Sequence, residues 1–415
     1  MINRKFALIC SLAALALTAG CESIGGPGSA QEPLKQLPRP LTSAEQGVIA
    51  GSNQFAFGLL REVDRADTSS NVFVSPLSAS MALGMTMNGA RGATLDEMRS
   101  TLGFGAMSLG DINSSYRSLI DLLRTLDGSV DMRIANSIWA RQGFSFEPSF
   151  FATGKQFFDA EVATLDFASP SAPNTINAWV DRGTNGKIKK IVESVPGDAV
   201  MYLINAIYFK GTWKHQFDRR HTRDAPFTRA DGTRQTVKMM HRSVPVRHYA
   251  DNRLEAVDLL YGREAFSMTI LLPRPGADLD SLVATLDETR WKQITDGFVD
   301  RQLDVHLPRF RLEYEQMLNN GLKALGMNTP FRPGGADFTG MSSRGRDLFI
   351  SNVKQKTYVD VNEEGTEAAA ATSVEIRVVS LPPSFTVDRP FIVAIRERFS
   401  GTILFLGKIT APPSS

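Results

Sequence analysis

VNEEGTEAAAATSVEIRVVSLPP, residues Val361 to Pro383, joins two halves that ask for different backbones. Glu367 and the four alanines Ala368, Ala369, Ala370 and Ala371 are strong helix formers. The β-branched residues that follow favour an extended chain, and two prolines end the stretch. Set out as a strand with period two, Thr366, Ala368, Ala370, Thr372, Val374, Ile376 and Val378 fall on one face. Glu367, Ala369, Ala371, Ser373, Glu375 and Arg377 fall on the other. One face is small or apolar and the other carries all the charge, as in a half-buried strand. A helical surface loop accounts for the alanines but not for the alternation. Gly365 supplies a permissive pivot at the start, and the segment reads as a loop in one state and a strand in another.

The rest of the chain offers a large body for such a strand to join. The runs MYLINAIYF (201–209), FSMTILL (266–272), FIVAI (391–395) and TILFLGKI (402–409) are short, apolar and β-rich, as expected of strands buried on both faces. Near the start, Ser43 with Gln46 three residues on makes a capping-box pattern. Val48, Ser52, Phe55, Leu59 and Val63 follow at helical spacing, which predicts an amphipathic helix. Helical patterns crowd the first half and strands the second, with no repeat and no long linker, so residues 42–415 read as one α+β domain.

With 415 residues, 42% hydrophobic and 22% charged, the chain has the composition and length for a large core. A net charge of +2 gives no reason to expect a nucleic-acid partner. The one dense basic cluster, Arg219, Arg220, His221 and Arg223, reads as a solvated surface turn.

Residues 1–21 look like an export signal. Arg4 and Lys5 precede an apolar run from Phe6 to Leu17, too short to span a bilayer, and small residues lead to Cys21. LTAGC resembles the lipobox of bacterial lipoproteins, in which the cysteine is lipidated, although Leu17 sits one position early and Thr18 stands where leucine is usual. A lipid anchor at Cys21 is therefore expected to hold the exported protein to the cell envelope, with a secreted or periplasmic protein as the alternative. Residues 22–41 are rich in Gly, Pro and Ser and suit a flexible tether. Both cysteines, Cys10 and Cys21, lie in the leader, which leaves the body without disulfide, thiol nucleophile or cysteine ligand.

A search for catalytic chemistry finds no HExxH, GxSxG, Walker-type GxxxxGK or strand-borne GxGxxG pattern. GTNGK (183–187) lacks the upstream glycine of a phosphate loop and reads as a tight turn. The histidines His215, His221, His241, His248 and His306 show no metal-ligand spacing. The expectation is a protein that is not an enzyme, monomeric, with neither cofactor nor metal.

NVFVSPLSASMALGMTMNGARGATLDEM (71–98), LINAIYFKGTWKHQFD (203–218), LPRFRLEYE (307–315), ADFTGM (336–341), VNEEGTEAAAAT (361–372), RPFIVAI (389–395) and GTILFLGKI (401–409) resemble serpin signatures, in the serpin order and over almost the whole body. The resemblance implies an α+β fold of three β-sheets and about nine helices. It also implies a reactive loop that baits a serine protease, is cleaved, and inserts into the central sheet with the acyl-enzyme attached. A small-residue hinge, Gly365 to Ala371, favours an inhibitor over a non-inhibitory serpin acting as a binding module.

The same resemblance locates the other working parts. Fourteen residues on from Gly365 lies Val379, at the spacing of antitrypsin-like loops, which makes Val379–Ser380 the bait bond. A small β-branched residue there suits an elastase-like pocket, and Arg377 is the rival bait for a trypsin-like protease. A cysteine protease is a further alternative target. Ser75, Ser78 and Asn205 match the polar shutter beneath the sheet, and Trp213 matches the breach where insertion begins. Gln355 stands where many serpins have a shutter histidine, and unlike histidine it cannot titrate near neutral pH.

Overall fold

The computed structural model describes residues 32–67, 71–196, 199–366 and 382–413. The body is one compact unit from Pro33 onward. Its strands begin with β1 (Asn71–Val74), β2 (Val130–Arg141), β3 (Ala160–Leu165), β4 (Met201–Thr212), β5 (Arg223–Thr228), β6 (Arg234–Ala250), β7 (Leu254–Leu260) and β8 (Phe266–Pro273). They continue with β9 (Val299–Pro308), β10 (Phe310–Met317), β11 (Lys354–Val361), β12 (Gly365–Thr366), β13 (Ser384–Thr386), β14 (Phe391–Glu397) and β15 (Ile403–Ile409). Nine α-helices occur among the described residues: α1 (Ser43–Ala66), α2 (Pro76–Met87), α3 (Gly92–Thr101), α4 (Leu109–Thr125), α5 (Pro148–Phe158), α6 (Ala172–Gly183), α7 (Leu279–Thr285), α8 (Glu288–Asp296) and α9 (Asn319–Ala324).

The first helix shows how local chemistry sets an element. Thr42, not Ser43, is the N-cap: its hydroxyl accepts from the Glu45 N–H at 3.2 Å, and the Glu45 carboxylate accepts from the Thr42 N–H at 2.7 Å. The expected box is displaced by one residue because a carboxylate is the stronger acceptor, and because Arg39 pairs with it at 2.6 Å. Val48, Ser52, Phe55, Leu59 and Val63 are all buried, as their spacing predicts. The end of the expected tether also departs from expectation. Leu34, Leu37 and Leu41 pack against the core, and the Leu34 N–H donates to the Arg263 carbonyl, so residues 33–41 lie along the body.

Six strands form one sheet in the order β10-β11-β12-β4-β2-β3. Its inner face joins the main core with α1, α2 and α4. Its outer face packs on α6 through Trp139, Ile176, Trp179, Ile204 and Ala206. The other strands form one continuous network, because the 17-residue β6 pairs with β5, β7 and β9 along its length. Divided at that shared strand, the network supplies two of the three expected sheets. β5, β9 and β13 lie to one side, and β7, β8, β14, β15 and β1 to the other.

The runs expected as doubly buried strands are β4, β8, β14 and β15. Every residue of β8 and β14 is buried. β4 is the exception: Met201, Tyr202, Leu203 and Asn205 are only half-buried. The reason is a gap among the described strands, between β4 and β11.

Candidate functional site

β12 is two residues long and lies between β11 and β4. Thr366 pairs with Val361 of β11 and Gly211 of β4, and Gly365 pairs with Thr212. Beyond Thr366 no described strand separates β11 from β4. Gly365 is demanded by this crowding, since a Cβ there would lie 2.1 Å from the Gly211 carbonyl oxygen and 2.8 Å from the Thr212 Cα. The turn into β12 closes on itself. The Asn362 N–H donates to the Gly365 carbonyl at 2.9 Å, and the Asn362 side chain accepts from the Glu364 N–H at 3.0 Å.

The neighbouring segment from Gly211 to Phe217 grips this turn. The Trp213 N–H donates to the Glu364 carbonyl, and its indole N–H to the Asn362 carbonyl, both at 2.9 Å. The indole stacks on Tyr261 with ring centroids 4.5 Å apart, and the Tyr261 hydroxyl shares a 2.6 Å hydrogen bond with that of Thr366. Burial pushes the Tyr261 pKa up, so this hydroxyl stays protonated and able to donate. Thr222 donates to Glu363 at 2.8 Å, and Arg219 pairs with Glu364 at 2.6 Å. The basic cluster is thus a surface turn, as its composition suggests, with one arginine placed on the hinge.

A chain of polar groups runs beneath the gap. Gln355 of β11 accepts from the Ser75 N–H at 2.9 Å and donates to the Ser75 carbonyl at 2.8 Å. Ser75 caps α2, donating its hydroxyl to the Leu404 carbonyl at 2.7 Å. One turn on, Ser78 donates to Asn205 of β4, and Asn205 donates to Asn136, its cross-strand partner on β2. The two strands that flank the gap are therefore fastened to the same helix end, β11 through the Gln355 side chain on the Ser75 backbone and β4 through the Asn205 side chain on Ser78. All members but Asn205 are buried.

A cavity of about 470 Å³ opens below this chain. Ser78, Leu83, Met201, Leu203 and Gln355 line it, together with residues around Phe349. It accounts for the half-exposed end of β4.

The structure thus brings together Gly365, Thr366, Asn205 and Gln355 on one sheet, with Trp213 just past β4 and Ser75 and Ser78 at the helix end beneath it. Glu367, Ala368, Ala369, Ala370, Ala371, Arg377, Val379 and Ser380 lie outside the described residues, as does Cys21. Sequence reading missed Tyr261, Asn136, Asn362, Thr222 and Arg219. The acidic pair Glu363–Glu364 was the only local signal for a basic partner.

Comparison with known proteins settles what this sheet belongs to. The family model for Serpin (serine protease inhibitor) matches residues 50–412. The chain is a serpin. Leukocyte elastase inhibitor from pig is 37% identical over 378 residues, which cover 88% of this chain and 99% of that protein. The human leukocyte elastase inhibitor is 35% identical over 379 residues, covering 88% and 99%. Among solved structures, the thermophilic serpin tengpin in its native state matches with a TM-score of 0.81 at 29% identity, covering 92% of this serpin and 97% of tengpin. Human thyroxine-binding globulin in complex with thyroxine matches with a TM-score of 0.83 at 28% identity, covering 89% and 100%.

Proposed function

We propose that this serpin inhibits a serine protease as a cleavable bait whose loop then completes the six-stranded sheet, carrying the acylated protease with it. The register of Thr366 between β11 and β4 carries this reading. Extended along the same two antiparallel pairings, that register sets Ala368 opposite Phe209 and Val359, and Ala370 opposite Ile207 and Thr357. Thr372 falls opposite both Asn205 and Gln355, the two shutter residues that flank the gap. Val374 and Ile376 fall opposite Leu203 and Met201, which line the cavity.

The sequence fits that slot position by position. Small residues meet the crowded upper part, a hydroxyl meets the polar chain, and large apolar side chains meet the void. Burying Val374 and Ile376 contributes about 1.5–3 kcal/mol apiece. Before cleavage the sheet is short of one strand and is held there kinetically.

Val379–Ser380 is the bait bond in this reading, and an elastase-like protease is the favoured target. The small side chain of Val379 and the likeness to leukocyte elastase inhibitors support it. Arg377 as bait would direct the loop to a trypsin-like protease. The leader and the lipobox-like run support export from a bacterial cell and anchoring through Cys21, or release into the periplasm or medium.

A second reading has its own observation: thyroxine-binding globulin shares this fold with a bound small molecule. A binding module of that kind does not need small residues from Thr366 to Ala371. Incubation with an elastase-like, a trypsin-like and a cysteine protease separates the two. Inhibition gives a covalent serpin–protease complex that survives denaturant, whereas loop cleavage by each protease without any complex would leave the binding module standing.

A further inference from the structure

His241 of β6 and His306 of β9 are direct cross-strand partners, and Asp304 lies two residues before His306 on the same face of β9. The inward residues Leu303, Val305 and Leu307 are buried, which leaves Asp304 and His306 on the opposite, partly open face beside His241. The two imidazoles stack with centroids 4.5 Å apart and aim their Nε2 atoms at one carboxylate, at 2.5 Å for His241 and 3.5 Å for His306. One ligand atom from each of the three side chains lies within 4.8 Å of the other two. No residue of the hinge or shutter takes part.

We propose that His241, Asp304 and His306 form a binding site for a zinc-class divalent cation. Two imidazole nitrogens and one carboxylate oxygen suit zinc, cobalt or nickel, and do not suit magnesium or calcium, which take oxygen ligands. Tetrahedral zinc needs its ligand atoms about 3.3 Å apart, given bond lengths of about 2.0–2.1 Å, so small side-chain rotations close the site. A water takes the fourth position.

The ligands also hold the strand that follows the reactive loop. The Asp304 N–H donates to the Pro383 carbonyl, and the Val387 N–H donates to the His306 carbonyl, both at 2.9 Å. These bonds lie at the two ends of β13, which pairs in parallel with β9. A cation that clamps β6 to β9 therefore stiffens the ledge on which the loop's C-terminal arm rests.

The test is calorimetric titration of the untagged, chelator-stripped full chain with zinc chloride, and with magnesium chloride in parallel. One equivalent of zinc should bind with a micromolar or tighter Kd, magnesium should give no heat, and saturating zinc should raise the Tm. The double variant H241Q/H306Q should bind at least a hundredfold more weakly, while His215→Gln should bind as wild type does. Cobalt added to wild type alone should give the intense visible bands of a four-coordinate site, a reading that no variant's folding can affect. Absence of zinc binding, undiminished binding in the double variant, or a cobalt spectrum like that of the hydrated ion would each overturn the site.

Discussion

The hydroxyl of Thr366 lies 2.6 Å from that of Tyr261, so the end of β12, from which the proposed insertion would continue, is already tied into the sheet. Thr366 is 2% exposed. Thr366→Arg places an unpaired charge in that position, at a cost on the order of 3–5 kcal/mol. The hinge should be expelled and insertion slowed, so that the protease hydrolyses its acyl-enzyme and leaves. Gels should show cleaved serpin in place of complex, and nicking should raise the Tm of the variant less than that of wild type. A variant that still traps protease at full stoichiometry would sink the insertion mechanism.

If Val379 is the bait, as proposed, Val379→Arg should redirect inhibition towards trypsin-like proteases, because the bait residue is the one that fills the protease pocket. The mass of the C-terminal fragment released from wild type should correspond to a start at Ser380. A start at Val378 would move the bait to Arg377.

Gln355→Ala removes two hydrogen bonds and strands the Ser75 backbone groups, which should lower stability by about 1–3 kcal/mol in denaturant unfolding. Activity should also decay faster on warming, as uncut loops insert. Gln355→His should restore part of the loss and add a dependence on pH between about 6 and 7 that wild type does not show in the same assay. Identical decay rates in all three proteins would remove Gln355 from the gate.

The Arg39 guanidinium bonded to Glu45 holds that carboxyl at about 2, below its ordinary 4.5, against the opposing effect of burial; Ser118 and Thr42 assist. A depressed folded-state pKa contributes stability that is complete above the unfolded value and lost as pH falls through the folded one. Arg39→Ala should therefore lower the Tm most above about pH 5, with the gap to wild type closing between about 4.5 and 2. A gap that stays constant across that window would separate the pair from acid stability.

Cys21→Ala should release the protein from the membrane fraction while leaving complex formation intact. Wild type already found in the soluble fraction would rule out the anchor.

Gly365, Thr366, Ser75, Ser78, Asn205 and Trp213 were legible because the runs that resemble serpin signatures contain them, and those runs are a sequence expression of the site. Their partners had none. Tyr261 meets Thr366 across 105 residues of chain and Asn136 meets Asn205 across 69, contacts that only the sheet order creates. The α1 cap was misplaced by one residue because Thr42–Glu45 and Ser43–Gln46 overlap, and the choice rests on charge, which the pattern does not encode. The histidines failed as a motif for a related reason. Asp304 and His306 share a strand face by spacing alone, but His241 joins them through pairing between distant strands.

Joining a strand to a sheet has two stages, and the Thr366 register separates them in time. Starting the strand means finding an alignment and fixing the first residues for few bonds in return, which is the slow, error-prone stage. Here alignment with both neighbours exists from the moment the protein folds. In the proposed mechanism cleavage then releases only elongation, along pairings that this register assigns in advance. On that mechanism the contest with acyl-enzyme hydrolysis is decided by how fast the strand lengthens past Asn205 and Gln355, and a substitution at those two positions should change the outcome without touching the bait.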